Sequence, residues 1–378
     1  MKILYVSQAY LPSQTSNSLS IMRMCQAFSD CGHEVTLTGI GCNKDTSEIT
    51  KYYGLRGGFN IQTFFFHKLI DQLRLREHLL AYKIRELAIE LKPDIIYSRL
   101  CLSALAKLPS DLPVVFEMHS PGPVSKSGYH RRKFSAFLKN KNIRRIVVTT
   151  EMLKNYLIDL YPNIDIVIAR LSSENPMSID DVDLMKFKKE TIKGKNEFRV
   201  GYTGFLDNTG LRGTDIIFKI AEKIKDVDFH IVGGTKPMVD YWSSYSASEN
   251  VYFYGHQNPS LIPLFLESFD IVLATLKLQK DSTKPMGKGM SPLKIPQYLA
   301  CGCVIVASDI PAHLEILEHR KNAMICEVAN IDQWVSTIHL LRLDEQLRNK
   351  ISRNAYKTYL DDFTPEIRIN KILSGIDL

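Results

Sequence analysis

The sequence predicts an α/β protein with two doubly wound, Rossmann-like domains that face each other across a cleft. Three observations support this prediction. The 378 residues are too many for one ordinary core and suit two domains of similar size. Short unbroken apolar runs alternate with helical patterns in both halves, which is typical of parallel strands covered on both faces. A polar stretch over residues 171–197 interrupts the alternation and is predicted to connect the domains.

The first half contains six predicted strands. They are Lys2–Ser7, Glu34–Thr38, Asp94–Ser98, Val114–Met118, Arg145–Thr149 and Asp165–Ala169. Between the first two, the apolar residues Ile21, Cys25 and Phe28 keep helical spacing, and Gly32 ends that helix. Unbroken apolar strands joined by helices favour a parallel sheet.

The second half repeats this pattern. Its predicted strands are Arg199–Thr203, Phe229–Val232, Val251–Tyr254, Ile271–Thr275 and Val304–Ala307. Its predicted helices cover residues 213–224, 293–300, 333–359 and 365–373. Because ligands of such sheets bind at the carboxyl ends of the strands, we expect the functional residues there.

The composition limits the class of protein. Hydrophobic residues make up 45% and charged residues 24%, which is ordinary for a globular enzyme and excludes a mainly disordered chain. No apolar run reaches the length of about 18 residues that a membrane-spanning helix needs. The first residues are predicted to form a strand rather than a signal peptide. Seven scattered cysteines without a C-x-x-C pair favour reduced thiols and a cytoplasmic protein.

Positive charge is concentrated in the first half. Residues 1–195 contain 28 Lys and Arg against 19 Asp and Glu, whereas the remainder contains 20 against 22. The segment Lys126–Arg145 has eight Lys or Arg and no acid, with Phe134 and Phe137 among them. Such a segment suits an anionic membrane surface, and Leu69–Leu91 is a second candidate. A solvated face over an ordinary core is the alternative, and no nucleic-acid motif is present.

A glycine turn follows the first strand of the second half. Arg199–Thr203 runs into Gly204, and Arg212 and Gly213 precede the next helix. This arrangement is typical of a phosphate cradle, because backbone N–H groups and the helix dipole attract an anion, and Arg212 can add a bidentate contact. An ordinary glycine turn beside a solvated arginine is the alternative.

The segment Ser291–Gly302 is the second candidate phosphate site. Ser291 is at a predicted helix cap with Pro292 directly after it, and the basic, glycine-rich loop Lys284–Gly289 precedes them. A helix start of this kind presents free N–H groups to a diphosphate. A plain capped helix beside a surface loop is the alternative.

Taken in order, these segments resemble the retaining, nucleotide-sugar-dependent glycosyltransferases of family 4 (glycosyltransferase group 1), which have the GT-B fold. The resemblance extends over nearly the full length. Its motifs are Lys2–Ser7, Gly32–Val35, Val200–Gly204, Arg212-Gly213, Ile231–Gly234, Val251–Gly255, Ser291–Ala300, Ala307–Pro311 and Glu315.

The resemblance implies three regions and a set of substrates. We expect an acceptor-side domain over residues 1–190, a donor-binding domain over 191–355, and a C-terminal helix over 356–378 that crosses back to the first domain. The implied donor is a nucleoside-diphosphate sugar, and the implied acceptor is a glycan or a lipid-linked glycan in cell-surface polysaccharide biosynthesis. Neither a metal, another cofactor nor nucleic acid is expected. The expected location is the cytoplasm, and a peripheral position on the inner face of the cell membrane is compatible with it.

The resemblance also implies roles for particular residues. Catalytic roles are implied for Arg212, His119 and Lys294, which would contact the diphosphate or the transferred sugar. Donor contacts are implied for Gly204, Arg212, Gly233, Tyr254, Gly255, Ser291, Pro292, Leu293, Lys294, Gln297 and Glu315. We expect Glu315 at the start of a late helix. A turn histidine with ordinary hydrogen bonds is the alternative for His119.

Three positions depart from the family pattern. Gly289 and Gln297 replace two signature glutamates, and Phe205 replaces the arginine after the Gly204 turn. Gln297 can still accept a hydrogen bond from a ribose hydroxyl, whereas Gly289 has no side chain for the sugar. These departures leave open a degenerate glycosyltransferase that acts as a non-catalytic partner of an active transferase. A GT-B epimerase or phosphorylase is a further alternative.

Two D-x-D strings match the metal-binding spacing of the other major glycosyltransferase fold. Asp181–Asp183 lies in the polar connection and Asp226–Asp228 lies just before a strand. Because neither is at the carboxyl end of a strand, we expect solvated acids and no metal.

Overall fold

The computed structural model describes residues 1–13, 15–41, 45–66, 75–99, 102–121, 128–140, 142–174, 181–245, 248–277 and 294–376. The chain divides into two compact α/β units. The first unit consists of Met1–Arg170 and Pro365–Leu378, and the second consists of Leu171–Thr364. Among the helices of these ranges, none has the length and apolar character needed to cross a bilayer.

The first unit contains a parallel sheet with eight strands in its described part. They are β1 (Lys2–Val6), β2 (Tyr10–Leu11), β3 (Glu34–Gly41), β4 (Asn60–Phe64), β5 (Ile95–Arg99), β6 (Val114–Met118), β7 (Ile143–Val148) and β8 (Ile166–Ile168). Their order is β2-β3-β1-β5-β6-β7-β8, and β4 also pairs with β3. The central strands are apolar and almost completely buried, so helices must cover both faces.

The second unit contains a parallel sheet with six strands in its described part. They are β9 (Arg199–Thr203), β10 (Asp228–Val232), β11 (Val251–Gly255), β12 (Ile271–Ala274), β13 (Ile305–Ser308) and β14 (Met324–Cys326). Their order is β11-β10-β9-β12-β13-β14. The carboxyl ends of β9, β10 and β12 therefore lie side by side in the middle of the sheet.

The helices follow the strands in regular alternation. They are α1 (Ser16–Asp30), α2 (Thr46–Tyr52), α3 (Arg76–Leu91), α4 (Leu102–Leu105), α5 (Gly128–Asn140), α6 (Glu151–Leu160), α7 (Asp181–Thr191), α8 (Thr214–Lys223), α9 (Lys236–Tyr245), α10 (Ile262–Leu266), α11 (Lys294–Ala300), α12 (Pro311–Leu314), α13 (Ile331–Leu343), α14 (Glu345–Asp362) and α15 (Pro365–Leu373). In the first unit, α3, α5 and α6 pack into one core cluster, and α1 and α15 pack into another.

The C-terminal helix α15 belongs to the first unit, in which it packs against α1 and β8. Buried Arg145 holds its end: the guanidinium donates to the carbonyls of Ile372 at 2.9 Å and Ser374 at 2.8 Å, and its Nε donates to Asp165 at 2.6 Å. The last carbonyls of a helix lack partners within the helix, and a cation satisfies them well.

The polar connection contains a helix that the sequence analysis did not predict. Residues 181–191 form α7, and Phe187 on this helix packs edge-on against Phe265 with ring centroids 4.9 Å apart. The first D-x-D string, which the sequence analysis placed in the polar connection, begins this helix. The helix is mainly polar, so its sequence showed little sign that Phe187 packs against another part of the chain.

The boundaries of the units differ from the predicted domain ends. The first falls after Arg170 instead of residue 190, because Ser173 already bonds to the second unit: its carbonyl accepts a hydrogen bond of 3.1 Å from the Tyr359 hydroxyl. The second falls after Thr364 instead of residue 355, because α14 continues to Asp362 before Pro365 begins the next helix.

The expected strands are present, and three further strands were not predicted. These are β2, β4 and β14, of two, five and three residues. Strand β14 and both of the others pair with only one strand each. Strands β2 and β14 have too few residues for a pattern to be recognised in the sequence. Strand β4 mixes polar with apolar residues and is only partly buried, so it lacks the unbroken apolar run of the predicted strands.

The basic segment on α5 differs from the expected membrane surface in two respects. Phe134 and Phe137 are buried against Phe116, with ring centroids 5.9 and 5.7 Å away. Arg145 is buried and paired within the unit. The expectation that these three residues contribute to an exposed basic and aromatic surface is therefore wrong, because the same periodicity that makes the helix amphipathic turns the aromatics into the core.

We predict that Arg145→Met destabilises the first unit by about 3 kcal/mol, because a buried charge-assisted hydrogen-bond network is lost and several carbonyls of α15 lose their donor. Urea denaturation measures the change. The matched control is Arg144→Met, since Arg144 is exposed on the same strand and should change stability by less than about 0.5 kcal/mol. Equal effects of the two substitutions would contradict the assigned role of Arg145.

Candidate active site

Three glycines bring the ends of β9, β10 and β11 into direct contact. Gly204 donates its N–H to the Val232 carbonyl at 2.9 Å, and Gly233 donates to the Gly255 carbonyl at 2.7 Å. A Cβ on Gly233 would lie 2.0 Å from the Gly204 carbonyl oxygen, and both glycines have positive φ, of 123° and 145°. Only glycine fits these positions. The glycine turns predicted at Gly204, Gly233 and Gly255 therefore lie next to one another.

The start of α8 lies against the end of β12. A Cβ on Gly213 would lie 1.5 Å from the Thr275 carbonyl oxygen, and the Thr275 hydroxyl donates to the Arg212 carbonyl at 3.0 Å. Arg212 is thereby held at the edge of the sheet with 40% of its side chain exposed, and its Nε lies 3.7 Å from an Asp207 oxygen. A guanidinium in this position is accessible to a ligand.

Helix α11 is fastened to β9 by one buried tyrosine. The Tyr298 hydroxyl accepts from the Thr203 N–H at 3.0 Å and lies 3.2 Å from the Thr203 hydroxyl. Burial raises the pKa of Tyr298, so the hydroxyl stays protonated. On this helix Lys294 and Gln297 are only partly buried, and they lie three residues apart on the same face. The two predicted donor contacts of the helix thus share one accessible side.

Lys294 has an unusual environment. Its Nζ lies 3.6 Å from the centroid of the Tyr202 ring, and a Cβ built on Gly204 would lie 3.2 Å from that nitrogen. Burial lowers the pKa of Lys294 well below its usual value, and the charge of Arg212 lowers it further. Among the described residues no carboxylate forms an ion pair with Lys294. The site therefore combines two neighbouring cations with too little negative charge, which favours a bound anion.

Two polar residues near Lys294 and Arg212 were not predicted from the sequence. His313 is buried, its ring Nδ1 lies 3.0 Å from the Ser308 carbonyl, and burial is the main reason why its pKa falls to about 4, with the Lys294 charge adding to the decrease. The Thr214 hydroxyl at the start of α8 is buried, and no hydrogen-bond partner for it is found among the described residues. Thr214 directly follows the Arg212-Gly213 motif and could have been found from it, whereas only the fold places His313 beside Lys294.

The other predicted donor contacts have different positions. The Tyr254 hydroxyl accepts from the Lys193 N–H and lies near His230, both at 2.9 Å. The prediction that Glu315 begins a late helix is wrong: α12 starts at Pro311, and Glu315 is its C-terminal cap. The remaining predicted contacts, Ser291, Pro292 and Leu293, lie outside the described residues, as does Gly289.

The first unit contains a buried polar cluster at the carboxyl end of β6. The Glu117 carboxylate accepts from Arg368 on α15 at 2.7 Å and from the Tyr97 hydroxyl, and it also contacts the His119 ring. Glu117 is 2% and Arg368 4% exposed. The His119 side chain, directly after the strand, is 14% exposed. His119 therefore has a structural contact as well as an accessible edge.

The charges of this cluster follow from its burial and its partners. Burial alone would raise the pKa of Glu117, but the charges of Arg368, His119 and Arg99 together hold it well below its usual value. Burial lowers the pKa of His119 in spite of the neighbouring carboxylate. At neutral pH the cluster thus contains an ionised Glu117 and a neutral His119.

The described residues contain no group of three or more His, Cys, Asp or Glu side chains arranged to hold a metal ion. Of the second D-x-D string, Asp226 pairs with Arg342, and Asp228 is buried at the start of β10, where it accepts two hydrogen bonds of 2.8 Å from Asn196. The expectation of a solvated acid is therefore wrong for Asp228, because this residue is buried at the amino end of the strand and its carboxylate is bonded to Asn196.

Comparisons with known proteins agree with this architecture. Residues 186–358 match the family model described as glycosyl transferases group 1, and residues 18–169 match the model described as glycosyltransferase family 4. The chain is 22% identical over 343 residues, 88% of each chain, to an uncharacterized glycosyltransferase of Haemophilus influenzae.

Two solved structures share the fold over almost their whole length. A glycosyltransferase from Rickettsia africae superposes with a TM-score of 0.73 at 15% identity, with 99% of each chain covered. The Anabaena protein HepE, in complex with UDP and glucose, superposes with a TM-score of 0.72 at 18% identity, with 99% of this chain and 100% of HepE covered.

Proposed function

The chain belongs to the group 1 glycosyltransferases of family 4 and is a transferase with the GT-B fold, and from this membership we propose that it moves a sugar from a nucleoside-diphosphate sugar to an acceptor hydroxyl. The observation that carries the proposal is the half-buried Lys294 amine, which has no described carboxylate partner and lies beside Arg212 and Gly204. A diphosphate supplies the negative charge that this environment lacks. HepE binds UDP on the same fold.

In the proposed reaction the bond between the sugar C1 and the diphosphate oxygen breaks while the acceptor oxygen bonds to C1 on the same face. The proton of the acceptor hydroxyl passes to the leaving phosphate, so the nucleoside diphosphate departs and the configuration at C1 is retained. Arg212 and Lys294 stabilise the negative charge that develops on the leaving group. We assign to Gln297 a hydrogen bond with the ribose and to His119 a hydrogen bond with the transferred sugar. The proposed reaction uses no metal ion.

The non-catalytic partner subunit, the alternative raised by Phe205, Gly289 and Gln297, gains no support from the comparisons. Phe205 is exposed, and its carbonyl accepts from the Tyr202 hydroxyl at 3.1 Å. Its replacement of an arginine removes one cation, while Lys294 and Arg212 remain as neighbours. Two neighbouring basic residues of the second unit, Arg212 and Lys294, thus remain to bind the donor diphosphate.

The proposed function predicts metal-independent binding of a nucleoside diphosphate. Purified protein is screened by thermal shift against UDP, GDP, ADP and CMP with a chelator present, and a ligand at a hundred times its dissociation constant adds about 2.7 kcal/mol of stability. Turnover is then measured with nucleotide sugars that contain the same base as the nucleotide that binds. Absence of a shift with every nucleotide, in a sample that unfolds cooperatively, would contradict the proposal.

Arg212→Ala and Lys294→Met should each weaken this binding by about tenfold or more, because a charge-assisted contact to phosphate is worth about 1.5–3 kcal/mol. Turnover should fall by at least as much, since the contact strengthens with the charge on the leaving group. The control is Arg353→Ala, an exposed arginine of the same unit. Normal turnover in a folded Arg212→Ala variant would exclude a catalytic role for that residue.

Binding of the nucleoside diphosphate should also take up protons. The pKa of Lys294 is lowered by burial and by Arg212, and a bound anion raises it again because it stabilises the charged amine. The affinity therefore falls as the pH rises through the pKa of Lys294 in the free protein. Calorimetry at about pH 8–9, where the ligand phosphates no longer titrate, in buffers of different ionisation enthalpy measures the uptake.

The control for proton uptake is Lys294→Arg, which keeps a positive charge that does not titrate. We expect this variant to bind the nucleoside diphosphate without uptake of protons. Uptake of the wild-type size in the variant would assign the protons to another group.

We propose further that the acceptor is a lipid-linked glycan of cell-surface polysaccharide biosynthesis at the cytoplasmic face of the membrane. Helices α3 and α5 cover the same face of the first sheet. Helix α3 exposes Leu79, Tyr82 and Ile89 on its outer side, and α5 exposes Arg132 and Lys139 two turns apart. Exposed apolar side chains and exposed cations on one face of the sheet suit an anionic bilayer surface.

A pocket at the ends of β3 and β4 supports the same acceptor. It is lined by Tyr10, Leu11, Pro12, Ile40, Gly41, Phe65, Phe66 and Arg76. Its walls are aromatic and aliphatic, and the Arg76 guanidinium lies 5.6 Å from the Tyr10 ring centroid. Aromatic rings and one arginine suit a ligand with an apolar part and an anionic group.

We predict that the double variant Arg132→Glu/Lys139→Glu loses affinity for vesicles that contain phosphatidylglycerol by about tenfold or more, because each cation near the surface contributes about 1 kcal/mol. Co-sedimentation measures the affinity. Lys350→Glu/Lys357→Glu is the matched control, since these lysines are exposed with the same spacing on α14. Equal vesicle binding by wild type and both variants would exclude α5 as a membrane surface.

A further inference from the structure

The cluster around Glu117 links the C-terminal helix to His119. Arg368 reaches Glu117 from α15, a segment more than two hundred residues later in the chain. The same carboxylate oxygen, Oε1, accepts from Arg368 and contacts the Nε2 of His119, while Oε2 accepts from the Tyr97 hydroxyl. Every described partner of Glu117 is therefore a donor, as an ionised carboxylate requires.

The chemistry of the carboxylate determines the protonation of the histidine ring. An ionised carboxylate only accepts hydrogen bonds, so the His119 Nε2 that contacts it must carry the proton. In a neutral imidazole the other nitrogen, Nδ1, is then unprotonated and acts as an acceptor. A sugar hydroxyl can donate to such a nitrogen, whereas it cannot donate to an imidazolium.

We propose that Arg368 is a positioning residue of the transferase: by pairing with the Glu117 carboxylate it offsets the pull of that charge on His119, so the ring stays neutral, with Nε2 donating to Glu117 and Nδ1 available to accept a hydrogen bond from a hydroxyl of the substrate. The step from the histidine to the substrate rests on the proposed function. The step from Arg368 to the histidine rests on the described contacts alone.

The charged and titratable groups around His119 come from several elements. Glu117 on β6 favours the protonated ring, whereas Arg99 at the end of β5 and Arg368 on α15 oppose it. Tyr97 on β5 and Tyr5 on β1 face the same carboxylate, and burial keeps both phenols protonated by raising their pKa values. Removal of Arg368 therefore leaves Glu117 as the strongest neighbour, and the ring takes up a proton to pair with it.

The experiment follows the His119 ring by NMR in protein with ¹⁵N-labelled histidine, with His119→Asn to assign its signals. Arg368→Met should raise the pKa of His119 by about one unit or more, and Glu117→Gln should lower it, because a neighbouring charge shifts a pKa by about 1–3 units. The acid limb of the pH–rate profile should move in the same two directions.

Glu117→Gln leaves a buried, unpaired guanidinium, which can impair folding. The double variant Glu117→Gln/Arg368→Met removes both charges and should place the pKa of His119 between the values of the single variants. Arg368→Lys keeps the charge and should stay close to wild type. Arg145→Met, which also loosens α15 but has no contact with Glu117, controls for a merely structural effect.

The outcomes separate the two steps. An unchanged His119 pKa in Arg368→Met, or a shift of the same size in Arg145→Met, would overturn the proposal. A loss of activity at every pH without movement of the acid limb would also overturn it. If His119→Asn retains full turnover, the proposed contact between the histidine and the substrate fails, while the NMR titration still tests the link from Arg368.

Discussion

Parallel strands end at the same edge of a sheet, and this constraint decides where side chains of different parts of the chain can meet. In the second unit it brings the ends of β9, β10 and β12 together, so Gly204, Arg212 and Lys294 become neighbours although about ninety residues separate the first from the last. In the first unit it brings the ends of β5 and β6 together with Tyr97, Glu117 and His119. Each candidate site is a consequence of this geometry.

The two sites treat buried charge in opposite ways. Glu117 is surrounded by donors, which compensates for the water that it has lost. Lys294 has an aromatic ring and a second cation as neighbours and no described carboxylate. A satisfied charge supports a fixed geometry, whereas an amine without a counterion has a lowered pKa until a ligand supplies negative charge. The second arrangement is what an anion site requires before its ligand binds.

The C-terminal helix has more than a packing role. It is the only described segment that follows the second unit and belongs to the first. Arg145 lies outside the helix and binds it, whereas Arg368 is part of the helix and binds Glu117. Arg145 satisfies carbonyls at its end, while Arg368 extends from it to the buried carboxylate. The first turn and the C-terminal end of this helix are thus each held by polar contacts, which gives the helix a defined register on the sheet.

The sequence by itself determined the order of strands and helices along the chain, the family and the residues at the glycine turns. Buried parallel strands are apolar, and glycine is the residue that most easily adopts a positive φ in a crowded turn. It did not reveal α7, whose anchor is one phenylalanine in a polar segment, nor the short strands β2, β4 and β14. It mistook Phe134, Phe137 and Arg145 for surface residues, because charge and aromatic content do not state which side of a helix or strand faces the core. Only the tertiary structure showed that Arg368 and His313 belong beside Glu117 and Lys294, since contacts between distant residues depend on how strands and helices pack and leave no local pattern.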